Sequence, residues 1–159
     1  MNELDSIFEE MGFLVKGGQL PEAMVYSIAR TFSLLARELG EIYKRFGLTP
    51  ASFNLLMLLK HGKDPQTFTQ EEIGNRLVVS PSNMTGLVDR LEKRGLVRRA
   101  PGRDRRSKLL QITSKGSGLL DEVWPHHVKE IKRVTQSIKT SDAKRLVLTL
   151  RQLRLVLVK

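Results

Sequence analysis

The chain has 159 residues, a length that suits one domain, and 40% of them are hydrophobic, which is enough to form a sizeable core. The absence of cysteine excludes a disulfide framework, a cysteine-ligated zinc site and a thiol redox sensor. No apolar run approaches the ~18 residues of a transmembrane helix, and the acidic start, MNELDSIFEE, is unlike a basic signal peptide. We therefore expect a soluble, cytoplasmic protein with no membrane partner.

The formal net charge is +10, and it is unevenly distributed. Residues 1–22 carry one Lys against five acids, whereas residues 81–115 carry ten Lys or Arg against three acids. A basic balance alone describes many ordinary surfaces. Its concentration in one stretch that also has strand and turn signals is typical of proteins that bind nucleic acid.

The first predicted helix follows the break KGGQLP. Apolar residues recur from Ile28 to Phe46 with the period of an amphipathic helix, and Gly47 ends it. A second helix starts with Thr49 as its N-cap, and Gly62 stops it.

The next two helices resemble a helix-turn-helix. Thr69 and Glu72 have the spacing of a capping box, in which each residue satisfies a backbone N–H of the other, so they open a short third helix. After the turn VVS, Ser80 as N-cap and Pro81 at the first position open a fourth helix, which Gly95 closes. Taken alone this is a weak signal, because many helical hairpins look similar.

A basic hairpin follows directly and strengthens this interpretation. The segments LVRRA and SKLLQIT have strand character and flank PGRD, a sequence suited to a turn. A helix-turn-helix followed by such a hairpin is a winged helix. We therefore predict a mainly α fold with a small β-hairpin wing (α+β), with further helices on both sides of the winged helix-turn-helix core.

Two helices complete the chain. The fifth begins at Thr113 or Ser114, and its apolar positions repeat from Leu120 to Ile138. The last has Ser141 as its predicted N-cap, and its segments LVLTL and LRLVLV are apolar around much of the circumference. A monomer would expose this apolar surface, which favours a symmetric dimer.

The fourth helix has a buried and an outward side. Met84, Leu87, Val88 and Leu91 cluster on one face. An ordinary solvated face is an equally good interpretation of the other side, but its small polar residues also suit the major groove of DNA. We expect Asp89 to lie beyond the groove or to pair with Arg90 or Lys93. The outward and flanking residues are Ser82, Asn83, Thr85, Gly86, Asp89, Arg90 and Lys93.

The turn of the hairpin concentrates positive charge. Arg103, Arg105 and Arg106 surround a single acid, Asp104, which can accept hydrogen bonds from the Arg106 guanidinium and fix its direction. An arginine-rich tip suits the minor groove, where the negative potential is strong. A solvated charged loop is the alternative.

These residues resemble the multiple-antibiotic-resistance regulator (MarR) family of bacterial winged-helix transcription factors. The segment SPSNMTGLVDRLEKRGLVRR leads into a wing signature at Asp104, Arg106, Thr113 and Gly116, and the helix order agrees over about residues 25–157. The resemblance implies homodimers joined through their first and last helices, and small, often aromatic anions that weaken DNA binding. It also implies that Arg106, oriented by Asp104, enters the minor groove, and that the recognition helix includes Ser82, Asn83, Thr85 and Arg90.

The position of an effector is less well indicated. A pocket lined by Phe53, Met57 and Trp124, with Arg99 to meet an anion, is one hypothesis, and an ordinary core is the alternative. The adjacent His126 and His127 point about 100° apart on a helix, so they do not form a metal site by themselves. We find no glycine-rich phosphate loop and no nucleophile elbow, and we expect neither an enzyme, a metal nor a cofactor.

The sequence thus predicts a tail at residues 1–20 and one domain at residues 21–159. Within it, residues 48–113 form the DNA-binding part, and residues 21–47 and 114–159 form dimerisation helices. The expected function is that of a homodimeric repressor that binds double-stranded DNA at an inverted repeat and is released by a small ligand. The alternatives are a non-specific architectural nucleic-acid-binding protein and a protein-interaction module.

Overall fold

The computed structural model describes residues 3–12, 19–62, 68–102 and 108–158. It separates into two compact units, Met1–Val123 and Trp124–Lys159. The described elements are seven helices and one two-stranded antiparallel sheet, which confirms the predicted fold class. None of the described helices is long and apolar enough to cross a membrane. In chain order, the helices and strands are α1 (Glu3–Glu10), α2 (Leu20–Arg45), α3 (Pro50–His61), α4 (Gln70–Leu77), α5 (Pro81–Lys93), β1 (Val97–Pro101), β2 (Lys108–Ile112), α6 (Ser114–Thr135) and α7 (Thr140–Leu157).

Helix α1 lies in the stretch that the sequence predicted as a tail. Its Phe8 is 2% exposed and meets Tyr26 of α2 edge to face, with ring centroids 5.9 Å apart. Ala23 of α2 is also buried. An apolar ring sealed in this way holds a short helix that has little stability of its own.

Helix α2 begins at Leu20, eight residues before the predicted apolar repeat. The backbone N–H of Gln19 donates to the Glu22 carboxylate at 3.2 Å, which completes a capping box that the sequence analysis overlooked. The other end is as predicted, since Gly47 has a φ of +67° and turns the chain out of the helix.

Helices α3 and α4 have the predicted caps. The Thr49 side chain accepts a bond from the Ser52 N–H at 3.2 Å. Thr69 and Glu72 exchange bonds of 2.7 and 3.2 Å, and the bond from the Thr69 backbone holds the pKa of the Glu72 carboxyl below its usual range. These caps fix where the two helices begin.

The core of the first unit forms where α2, α3, α5, the sheet and the start of α6 pack together. Tyr43 stacks on Phe53 with ring centroids 4.3 Å apart, and burial raises the pKa of Tyr43 to about 12. The residues of this core cluster that are exposed by 1% or less are Leu55, Leu56, Ile73, Val88, Leu91, Leu96, Leu110, Leu120 and Val123. This continuous apolar layer supports α5 from beneath.

The sheet is the predicted hairpin. Val97 pairs with Ile112 and Pro101 with Lys108, in antiparallel register. The Leu110 N–H also donates to the Phe68 carbonyl at 2.9 Å, so the second strand is joined to the segment before α4. The hairpin is therefore anchored to the helix-turn-helix at its base.

The start of α6 is fixed by Thr113 and Gly116, two residues of the wing signature. The Thr113 hydroxyl donates to the Gly95 carbonyl at 2.7 Å and accepts from the Gly116 N–H at 3.0 Å. A Cβ on Gly116 would lie 2.1 Å from the Leu96 carbonyl oxygen, so only glycine allows this approach. Both residues serve the architecture between α5 and α6.

The second unit contains the rest of α6 and α7. Helix α6 ends at Thr135, so Ile138 lies outside it. The predicted N-cap of α7, Ser141, was wrong: the cap is Lys139, whose carbonyl accepts from the Asp142 and Ala143 N–H groups at 3.0 and 2.9 Å. None of the residues of α7 is buried within this single chain.

Candidate nucleic-acid interface

Helix α5 has the two faces that its sequence predicts. Met84, Leu87, Val88 and Leu91 are at most 3% exposed. Gly86 is half-buried on the other side, and the remaining outward residues, Ser82, Asn83, Thr85, Asp89, Arg90 and Lys93, are exposed. A helix held so firmly from beneath presents these side chains as a rigid surface.

The N-terminal end of this surface is small and polar. Ser80 is the N-cap residue, but its side chain makes no capping bond, and its hydroxyl lies 3.4 Å from that of Ser82. The predicted N-cap position of Ser80 is thus confirmed, without a side-chain capping bond. Asn83 follows on the exposed surface, where its amide has both donors and an acceptor to offer a base edge.

Thr85 takes part in a bond network within the protein. Its hydroxyl accepts from the Gln70 side-chain amide at 2.7 Å and donates to the Pro81 carbonyl at 3.0 Å. Gln70 is the first residue of α4, so this bond joins the two helices of the helix-turn-helix. With the hydroxyl occupied, the Thr85 methyl group is the part that suits contact with a thymine methyl.

A cavity of about 440 Å³ lies between α4 and α5 beside this bond. Its lining includes Gln70, Gly74, Val79, Met84 and Thr85. Gln70 was not predicted from the sequence, because its bond to Thr85 joins two helices that only the fold brings together.

Asp89 pairs with Arg99 of β1, with Oδ1 and Nη2 2.6 Å apart. Pairing with Arg90 or Lys93, as expected from the sequence, is thus wrong, because the strand that follows α5 brings a better-placed guanidinium. The Arg99 guanidinium also pairs with Glu92, and the Arg99 N–H donates to that carboxylate at 3.1 Å. Its bond to Asp89 is the main cause that raises the pKa of Arg99.

This triad has two consequences. The positive charge of Arg99 offsets part of the combined negative charge of Asp89 and Glu92 on α5, which reduces repulsion of phosphate. The triad also joins the first strand of the wing to α5. Arg99 is only 24% exposed at its side chain and is held by two carboxylates, so an anionic ligand would have to displace them.

The wing carries further positive charge. Arg98 of β1 is exposed, and its Nε donates to Gln111 of the paired strand at 3.1 Å. The candidates at the hairpin tip lie outside the described residues: Arg103, Asp104, Arg105 and Arg106. Arg98 was missed because its pairing partner is evident only once the register is known.

The suggested effector residues fall into different environments. Phe53 is 3% exposed and stacked on Tyr43, which makes it a core residue, and Met57 is half-buried against the same core. Trp124 belongs to the second unit and is 43% exposed, with its ring 5.3 Å from that of His127. Burial lowers the pKa of the His127 imidazole. Within the described ranges no three acidic or imidazole side chains lie together as metal ligands.

The chain is similar in sequence to proteins of one family. The family model described as the MarR family matches residues 46–107. The transcriptional regulator MhqR of Bacillus subtilis is 30% identical over 116 residues, which cover 72% of this chain and 78% of MhqR. This chain belongs to the MarR family.

Solved MarR-family structures resemble it over most of their length. The transcriptional repressor CouR bound to a 23-mer DNA duplex has a TM-score of 0.76 at 27% identity, covering 88% of this chain and 98% of CouR. CouR from Rhodococcus jostii RHA1 bound to p-coumaroyl-CoA has a TM-score of 0.75 at 25% identity, covering 86% and 95%. This MarR-family protein is therefore a DNA-binding transcriptional regulator.

Proposed function

We propose that this MarR-family protein is a homodimeric repressor that recognises an inverted repeat and is released by a small molecule. The observation that carries the proposal is the outward face of α5, which is small and polar at its N-terminal end and continues into a basic wing. A helix of this diameter fits the major groove. Such a protein acts on DNA in the cytoplasm.

The dimer is supported by apolar surface that a single chain leaves exposed. On α2, Phe32 is 71% exposed, and on α7 Leu146 and Val156 are 51% and 71% exposed. Apolar surface of this extent is typical of an interface between protein subunits. We assign residues 48–113 to DNA binding, and residues 21–47 and 114–159 to dimerisation.

We assign the DNA contacts by position. Ser82, Asn83, Thr85 and Arg90 would meet the major groove, and the wing tip with Arg103, Asp104, Arg105 and Arg106 the minor groove. Phosphate contacts set affinity, and base contacts set sequence preference. Asn83→Ala should therefore lose discrimination between sequences, whereas Arg106→Ala should lose affinity for every duplex.

The decisive experiment selects bound sequences from random duplex DNA and measures affinity by fluorescence anisotropy. We expect inverted repeats with half-sites about one helical turn apart, and binding that weakens steeply with salt. A specificity ratio near one would replace this proposal with a non-specific architectural protein. Association with a protein, and none with DNA, would replace it with an interaction module.

The ligand proposal rests on the family and on the exposed Trp124. We propose a small aromatic or anionic effector. Phe53 is a core residue and Arg99 is paired with two carboxylates, so Trp124 is the first candidate for a contact with this effector. Adding p-coumaroyl-CoA or benzoate to the labelled operator complex tests this class of ligand. Release by either supports the proposal, and release by neither removes both compounds as effectors.

A further inference from the structure

The residue that follows the recognition helix joins it to the end of α2. Arg94 is the C-cap residue of α5, and its guanidinium donates to the carbonyls of Phe46 and Gly47, at 3.1 Å for Phe46. These are the first two residues after α2. Along the sequence, Arg94 is separated from Gly47 by 47 residues and from Phe46 by 48.

The chemistry at this point favours a guanidinium. Carbonyls at the end of a helix lack partners in the helix and carry the negative end of its dipole, so they attract a cation. The planar fork of Arg reaches two carbonyls at once, whereas a Lys ammonium reaches them only as a point charge. Arg is therefore matched to this geometry.

Gly47 leaves the space in which the guanidinium lies. Its φ of +67° favours glycine, and a Cβ there would lie 3.1 Å from Nη2 of Arg94 and 3.3 Å from Nη1. A side chain at position 47 would thus press on the contact that holds the two elements together.

The backbone of Arg94 is bound as well. Its carbonyl accepts from the Lys115 ammonium of α6 at 2.9 Å, and its N–H donates to the Arg90 carbonyl at 3.3 Å. One residue thus connects the end of α5 with the end of α2 and the start of α6. Lys93 beside it is exposed and carries the same charge, so it serves as a matched control.

We propose that Arg94 is a positioning residue of the DNA interface. It holds α5 at a fixed orientation to α2, whose apolar surface we assign to the dimer, and so sets how the two recognition helices of a dimer meet successive half-sites. This inference rests on the proposed function. The competing explanation is that Arg94 binds a DNA phosphate directly.

The test compares Arg94→Lys, Arg94→Ala and Lys93→Ala with the unaltered dimer. Affinities for the selected operator and for an unrelated duplex are measured by fluorescence anisotropy at several salt concentrations. Thermal unfolding of each variant confirms that it is folded. Operator binding by the unaltered protein tests the proposed function separately, before any variant is considered.

A positioning role predicts that both Arg94 variants lose discrimination. The ratio of the affinity for the operator to the affinity for the unrelated duplex should fall about fivefold or more, the range of a typical coupling between sites. The slope of log affinity against log salt should stay within experimental error of the unaltered protein, since no phosphate contact is lost. Lys93→Ala removes a charge from the outward surface of α5, so it should lower both affinities together and keep their ratio.

A phosphate contact predicts the reverse. Arg94→Ala would then reduce the salt slope by about 0.9, the value for one neutralised phosphate, and Arg94→Lys would restore it with the ratio unchanged. That result would overturn the proposal. So would full discrimination by both Arg94 variants.

Gly47→Ala approaches the same contact from α2. We expect it to lower the ratio in the same direction as Arg94→Ala, and the double variant to lose less than the two single losses combined, because both changes disrupt one contact. If the fold-loss of the double variant equals the product of the two single fold-losses, the residues act independently, and this result would overturn the proposal.

Discussion

Arg99 shows how a single side chain can change the charge of a helix surface. It pairs with Asp89 and Glu92, so its one positive charge offsets part of their combined negative charge. Arg99→Ala should weaken operator binding roughly tenfold, because two uncompensated carboxylates would then repel phosphate. Anisotropy titration measures this change.

A second substitution separates charge from structure at this site. Asp89→Asn in the Arg99→Ala background removes one of the exposed carboxylates and should restore part of the affinity. The free energy of unfolding should change by less than about 1 kcal/mol in either variant, as is usual for partly exposed pairs. Unchanged affinity in Arg99→Ala would disprove the neutralising role.

Gly116 and Gly118 form a natural matched pair on α6. Gly116→Ala should lower the free energy of unfolding by about 1–3 kcal/mol, because its Cβ would meet the Leu96 carbonyl at 2.1 Å. Gly118 has nothing within 4 Å of a built Cβ, so Gly118→Ala should raise it by up to about 1 kcal/mol. Urea denaturation measures both, and equal effects would contradict the close approach.

His127 gives the second unit a pH dependence. Its pKa lies below the ordinary value of 6.5 because burial disfavours the charged imidazole. The stability it contributes is therefore present above pH 6.5 and declines as the pH falls through the lowered pKa. Trp124, the one tryptophan of the sequence, lies 5.3 Å away and should report the protonation by its fluorescence.

The expected fluorescence change has a midpoint below pH 6.5. His127→Gln should abolish it, and His126→Gln on the exposed neighbouring position should leave it in place. A transition that survives the loss of His127 would assign it to another group.

At the scale of elements, α1 is joined to α2 by the contact of Phe8 with Tyr26. Phe8→Ala should release α1 from α2, since among the described side chains of α1 the ring of Phe8 is the buried one. Hydrogen exchange of residues 3–12 should become fast while the winged helix keeps its protection. Glu9→Gln, on the exposed side, is the control that should leave exchange unchanged.

Elements were predictable where local chemistry decides them. Thr49, Thr69 and Gly47 fix helix ends by bonds and backbone angles within a few residues, and all three were predicted correctly. The start of α2 was missed because Gln19 is an unusual capping residue. Helix α1 was missed because its stability comes from Tyr26, which lies far along the sequence.

The interface was predictable in outline only. The outward face of α5 follows from helical periodicity, but the partner of Asp89 depends on how the hairpin packs against the helix. For the same reason, Arg94 and Gln70 could not be identified, because their bonds join elements that only the fold brings together.

At the scale of the whole molecule, we propose that the dimer forms through α7. Leu146→Glu places a charge on its apolar face, where 51% of the residue is exposed in a single chain, so the chain should fold but fail to dimerise. Sedimentation velocity should show monomers, and operator binding should weaken by at least about tenfold because half-site contacts no longer add.

The control places the same charge at an exposed position about 120° around the helix from Leu146. Gln152→Glu should leave both the sedimentation coefficient and operator binding unchanged. A dimer that persists in Leu146→Glu would show that α7 is not its interface.

Val78, in the turn between α4 and α5, has a φ of +54° although it is β-branched, and it is 91% exposed. Such a residue is unfavourable in the left-handed region and has almost no packing to offset the cost. The protein therefore carries removable strain at the corner of its DNA-reading motif. An engineer who needs a heat-tolerant version for use as a sensor has a first position to alter that belongs to neither helix.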